Sequence, residues 1–132
     1  MTREELLSIP GTEMRIKVLN ASILQLRSLA TSLSAPLGGD KVQAPGAKDR
    51  IGNIVSSIVD AEAEMKEDIR ILASLRLEAV EILESLPEPE LSVMRLRYIV
   101  GMKWEDIADE VGYTTRNCFN IRNKALGLLF GE

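Results

Sequence analysis

The side chains best equipped for chemistry stand together near the C-terminus, in the run TTRNCFNIRNK of residues 114–124. Arginine can pair bidentately with O6 and N7 of guanine, asparagine with N6 and N7 of adenine, and an apolar side chain can rest on a thymine methyl. Those chemistries make Arg116, Asn120 and Asn123 candidate readers of bases and Phe119 a candidate apolar contact. Thr115, Arg122 and Lys124, with Thr114 at the head of the set, are candidates for holding phosphates. Residues 112–131 hold three basic residues and no acid, so the segment is locally positive in a chain whose formal charge is −4. Three cations suffice for a few phosphate contacts, not for a strong electrostatic anchor. Catalysis has no comparable set. There is no histidine, no glycine-rich phosphate loop and no nucleophile elbow, and the acids fall on charge-rich helix faces. The lone cysteine excludes an internal disulfide, and together with the lack of histidine it excludes the familiar zinc sites. The expectation is a protein that is not an enzyme and holds neither metal nor cofactor.

Two short helices must position that run. Trp104, Ile107, Ala108 and Val111 follow the i, i+3, i+4, i+7 spacing of a helix with one apolar face. Gly112 can take the left-handed conformation that ends such a helix, and Thr114 can cap the next one. Tyr113 and Cys118 fall at the positions of a hydrophobic staple. The following helix, about residues 115–129, turns Cys118, Ile121, Ala125 and Leu128 inward and leaves Arg116, Phe119, Asn120, Asn123 and Gly127 outside. Two helices joined by a short glycine-containing turn form a helix-turn-helix, whose second helix can enter the major groove. Residues 91–100 supply a third helix, with Leu91, Met94 and Tyr98 packing beneath the pair and Arg95 and Arg97 outside that set.

The string resembles the fourth region of sigma-70 family transcription factors. The elements that carry the likeness are Leu86-Pro87, Leu96-Arg97-Tyr98, Gly101, Trp104, Asp106-Ile107-Ala108, Gly112, Thr114 and Ala125-Leu126. Upstream, Leu26 to Ser32, then Asp40 to Gln43, then a long helix running into the Leu-Pro element are similar to a family of sigma-like proteins from phages and prophages of Firmicutes. That family includes relatives of regulators of phage late transcription. The resemblance implies a recognition helix in the major groove, with RNA polymerase as a candidate second partner. Phe119 stands where sigma factors commonly carry arginine, and Lys103 stands where serine or threonine usually caps the first helix of the motif. Glu105 and Asp106 in that first turn offset the weak cap through the helix dipole.

The rest of the chain reads as helix. Hydrophobic content of 45% argues against a disordered protein, and aromatic content of 4% calls for a core of Leu, Ile, Val and Ala. Thr2-x-x-Glu5 is a capping box opening a helical turn that Pro10-Gly11 is expected to stop. Ile16, Leu19, Ile23, Leu26, Ala30 and Leu33 then repeat with 3-4 spacing, the seam of a helix pairing with another helix. A Pro/Gly-rich loop follows at about 34–48. From about residue 49 to 86 a second seam runs through Ile51, Ile54, Ile58, Ala61, Met65, Leu72, Leu75, Ala79, Ile82 and Leu86, broken only by Asp68. Lengths of roughly 33 and 55 Å leave an overhang of roughly 20 Å, whose apolar face needs cover from the N-terminal turn, the C-terminal helices or a second copy. The prolines at 87 and 89 mark a boundary.

The fold expected is therefore all-α: a long antiparallel, coiled-coil-like hairpin over 1–86, then a three-helix bundle with a helix-turn-helix over 87–132. Residues 1–86 carry 10 basic and 13 acidic side chains and residues 87–132 carry 6 and 7, so neither part is a strongly basic module that holds DNA alone. Affinity must be supplemented, either by a homodimer through the N-terminal helices or by a partner already on the DNA. No apolar run is long enough for a bilayer and no signal peptide is evident, so a cytoplasmic protein away from membranes is expected. The leading reading is a sequence-specific regulator of transcription bound to double-stranded DNA. The alternative is an adaptor that binds RNA polymerase, a sigma factor or a phage protein without reading DNA, and a role in phage packaging uses the same fold. Cys118 and Trp104 read as core residues in either case.

Overall fold

In the computed structural model, residues 1–34 and 46–131 are described. They are helical and include no strand. The elements are α1 (Arg3–Leu7), α2 (Ile9–Ser34), α3 (Ala47–Leu83), α4 (Glu90–Arg95) continued by a wider π turn (Leu96–Val100), α5 (Trp104–Val111) and α6 (Thr115–Phe130). A long helical hairpin is thus followed by three short helices, the last two joined as a helix-turn-helix. The expected loop falls mainly on residues 35–45, outside the described residues; Ser34 closes α2 and Ala47 opens α3.

α1 begins with the expected capping box. Thr2 Oγ1 accepts from Glu5 N–H at 3.1 Å, and Glu5 Oε1 accepts from Thr2 N–H at 2.9 Å. Pro10-Gly11 does not stop the chain as expected. Both residues lie in the first turn of α2, where proline's missing N–H would have no intrahelical partner and its fixed φ suits the helix. The Ser8 carbonyl accepts from Thr12 N–H at 3.0 Å, so the break between α1 and α2 is one residue wide.

The chain forms two compact units, Met14–Ile69 and Met1–Glu13 with Arg70–Glu132. In the first, the two seams meet. Arg15 pairs with Asp68, and Arg27 pairs with Glu62. Rising numbers on α2 match falling numbers on α3, so the hairpin is antiparallel. The residue that breaks the α3 seam keeps its inward place: Asp68 is buried, and the Arg15 guanidinium holds both its oxygens, at 3.0 and 3.3 Å. Of the apolar seam residues in this unit only Ile23 is fully buried; the others are half-buried, as two helices alone must leave them.

The second unit buries more. Leu6, Ile9, Leu72, Ala79, Leu83, Leu86, Val93, Met94 and Tyr98 are all buried there. The apolar face of α3 beyond residue 69, expected to need cover, is thus buried in a unit built with the N-terminal residues and the C-terminal helices. This unit reaches well upstream of residues 87–132.

Candidate nucleic-acid interface

The helix-turn-helix rests on a cluster of Val93, Ile107, Ala108, Cys118 and Ile121, with Leu96, Met102, Trp104 and Val111 packed against it. α4 hands over to α5 through Gly101. The Leu96 carbonyl accepts from both Gly101 N–H (3.1 Å) and Met102 N–H (3.0 Å), and Gly101 has φ +87°. A Cβ there would come within 2.7 Å of Glu13 Oε2 and 3.1 Å of an Arg76 Nη, an ion pair that is itself 2.9 Å long. Glycine is required twice over, for its backbone angle and for this close approach.

α5 starts at Lys103 with no side-chain cap, as expected, and carries Glu105 and Asp106 in its first turn. Gly112 ends it at φ +77°, with its N–H donated to the Ala108 carbonyl at 2.9 Å. Thr114 then caps α6, its hydroxyl accepting from Asn117 N–H at 3.1 Å. Tyr113, expected to staple onto Cys118, is 41% exposed and stands outside the cluster.

On α6 the inward residues are Cys118, Ile121, Ala125 and Leu126. Leu128, expected inside, is 55% exposed, and its place is taken by half-buried Leu129. A repeat of 3.5 residues does not hold on a straight helix, which drifts by about 20° per heptad. By the third turn the buried face has moved one residue onward.

The other side of α6 matches the sequence reading more closely. Arg116, Asn120 and Asn123 are exposed and fall on one stripe, with half-buried Gly127 beyond them. Thr114 is exposed and Thr115 half-buried at the N-terminus of the helix. Phe119 lies at the edge of the stripe, 36% exposed, with its ring against Trp104 at 5.0 Å between centroids and tilted by 54°. It was expected to stand free of the core; instead the pair ties α6 to α5.

Two arginines close over that pair. The guanidinium of Arg97 sits 4.9 Å from the Trp104 ring centre and donates to the Met102 carbonyl at 3.1 Å. Arg122 lies 5.7 Å from Trp104 and 5.5 Å from Phe119, and also donates to Asn123 Oδ1 at 3.3 Å. Cations over aromatic faces are attracted by the ring quadrupole. Arg97, which the helical spacing leaves outside the packing set, is thus engaged inside the bundle, and Arg122 is half-buried against the rings. Lys124 is 70% exposed at its side chain, but its ammonium lies 3.5 Å from Glu90 Oε1, a carboxylate with 3% of its side chain exposed. Of the three basic residues of α6, two are therefore also bound to protein groups.

Beneath, burial pushes the Tyr98 phenol above its ordinary pKa, against the opposing charges of Arg122 and Arg97 and a hydrogen bond from Arg122. Burial likewise raises the Cys118 thiol. Cys118 is a fully buried core residue, and Trp104 packs against the same cluster, as the sequence suggested. The brace formed by Arg97 and Arg122 escaped the sequence reading. Its only trace there was an arginine on each of two helices that also supply aromatic or packing partners to a single tryptophan. Neither family models, nor curated proteins, nor solved structures provide a match to this chain.

Proposed function

We propose that this protein is a sequence-specific, DNA-binding regulator of transcription, sigma-like in plan, that lays α6 in the major groove of double-stranded DNA. The observation that carries the reading is the exposed stripe of Arg116, Asn120 and Asn123 on a 16-residue helix whose start is capped and whose opposite face is buried. Arg116 would pair with guanine and the two asparagines with adenines. Thr114 and Thr115, at the N-terminus of α6, would meet a phosphate, helped by the positive end of the helix. Phe119 would reach a thymine methyl with its exposed edge. Lys124 and Arg122 would add phosphate contacts only by loosening their bonds to Glu90 and to the aromatic pair, so their share is smaller than their charge suggests.

The supplement to this modest electrostatic grip would be a partner already on the DNA, with RNA polymerase the leading candidate, and the setting that of phage or prophage gene expression in the cytoplasm. Among the described residues no helix is long and apolar enough to cross a membrane. The engagement of Arg122 and Lys124 with protein groups favours a second reading, in which the domain is an adaptor for polymerase, a sigma factor or a phage protein. A gel-shift titration at low salt against a pool of randomised duplexes separates the two. Retardation that survives competition by unrelated DNA supports the regulator. No retardation, with polymerase subunits retained on the immobilised protein, supports the adaptor.

A further inference from the structure

Glu90 opens α4 with 3% of its side chain exposed, and the packing around it does not complete its charge. Oε1 lies 3.5 Å from the Lys124 ammonium, longer than the roughly 2.7–2.9 Å of a charged hydrogen bond. Oε2 is buried and has no hydrogen-bond partner among the described residues. The carboxylate is thus a buried anion that rests on one loosely held cation. Stability alone does not call for it, since an apolar side chain of similar volume buries with no charge to answer. Glu90 is fixed by its burial, whereas 70% of the Lys124 side chain is exposed and its flexible stem can swing away.

That asymmetry makes the pair a restraint on α6. The helix carries three basic residues and no acid, and Glu90 brings a negative charge to it from α4. For Lys124 to reach a phosphate it must leave Glu90, and a buried carboxylate then loses its counter-charge while one of its oxygens already lacks a hydrogen bond. That loss opposes the phosphate contact and cancels most of what the ammonium would contribute. A lysine contact to phosphate is blind to sequence, whereas Arg116, Asn120 and Asn123 face outward on the stripe proposed to read bases. Holding Lys124 back lowers the affinity for every sequence alike and leaves discrimination to the base contacts. We infer, on the basis of the DNA-reading role proposed for α6, that Glu90 is a built-in restraint on non-specific DNA affinity, withholding Lys124 from the phosphate backbone.

Fluorescence anisotropy of a labelled random-sequence duplex, titrated with the full chain at salt concentrations from about 50 to about 200 mM, tests it. Glu90→Gln keeps the shape of the side chain and removes its charge. It is expected to bind about 5- to 10-fold more tightly than the wild type at about 100 mM salt, with the slope of log K against log salt steeper by about 0.9, as one added phosphate contact requires. The gain is expected to vanish in Glu90→Gln with Lys124→Ala, which should bind no more tightly than the wild type. Glu90→Met, also uncharged, repeats the measurement if the amide variant loses the helical circular dichroism of the wild type. Tightening without the change of slope, or tightening that survives Lys124→Ala, would overturn the inference. Loss of the fold in both uncharged variants would do so as well, by making Glu90 a structural anchor. Wild-type binding that a folded uncharged variant leaves unchanged or weaker overturns the inference alone. If neither the wild type nor any variant binds a duplex at low salt, the DNA-reading role of α6 falls and the inference falls with it.

Discussion

Trp104 ties α5 to its neighbours, meeting the buried cluster on one side, Phe119 on another and two guanidinium groups over its rings. Trp104→Ala should therefore cost about 3 kcal/mol, in the range of large aromatic truncations. Phe119→Ala, removing a ring already one-third exposed, should cost about 1 kcal/mol, the size of an aromatic pair. Urea unfolding of the two variants checks the order, and equal losses would mean that the rings do not bear on the core unequally. The buried thiol and phenol below them make the fold sensitive to base. Both keep their proton in the folded chain at pH values where the unfolded chain surrenders it, so their contribution is complete below about pH 8.5 and is lost as pH rises further. The urea midpoint should fall between pH 8 and pH 10.5, and fall less in Tyr98→Phe; a midpoint that does not move would contradict the burial of these groups. Thr114, Arg116, Asn120 and Asn123 were legible in the sequence because capping and helical periodicity are local. The places of Arg97 and Arg122 were not, because a long flexible side chain folds back according to a tryptophan supplied by a different helix, which no spacing within its own helix encodes.

The glycines that end helices show how an element's boundary is set by more than its own residues. Gly101 and Gly112 share nearly the same left-handed φ, +87° and +77°, yet a Cβ at Gly112 meets nothing within 4 Å while one at Gly101 runs into Glu13 and Arg76. Gly112→Ala should cost about 1 kcal/mol from backbone strain alone. Gly101→Ala should cost more, about 2 kcal/mol, as the Glu13–Arg76 pair is pushed aside. Thermal unfolding of both variants tests the difference, and a Gly112→Ala loss equal to or above that of Gly101→Ala would remove the role given to the ion pair. The same division of local from distant explains the element readings. Both long helices, the Thr2–Glu5 box and the stop at Gly112 rest on neighbouring residues and were legible. Pro10-Gly11 reads as punctuation in any sequence, and only the position of Ser8 as the end of α1 reveals that these residues open a helix. The repeat that points Leu128 inward suits a supercoiled seam but not a short straight helix.

At the scale of the whole molecule, the hairpin accepts a buried carboxylate in its seam and answers it from the facing helix. Removing Arg15 alone, as Arg15→Ala, strands Asp68 in the seam and should destabilise the hairpin by about 2 kcal/mol, less than a fully buried pair because Arg15 is 60% exposed. Arg15→Ala with Asp68→Leu should recover that loss, since an apolar residue continues the seam. Calorimetry of the single and double variants distinguishes this from a pair that merely decorates the surface, in which case the single variant would be silent. Asp68 was visible in the sequence as an interruption, but its partner lies 53 residues away and no pattern points to it. The prolines at 87 and 89 were equally visible, yet the compact unit runs past them to take in α1 and the end of α3, because burial depends on which apolar faces meet. The proposed function rests on the last helix of that unit. Selection from a random duplex library with the full chain, repeated with Arg116→Ala and Lys124→Ala, addresses it most directly. The expected result is an enriched site in which Arg116→Ala relaxes one guanine position at a cost of about 1 to 3 kcal/mol, while Lys124→Ala lowers retention of all sequences alike. A library that emerges unenriched, or an Arg116→Ala protein that selects the wild-type site unchanged, would contradict a DNA-reading role for α6.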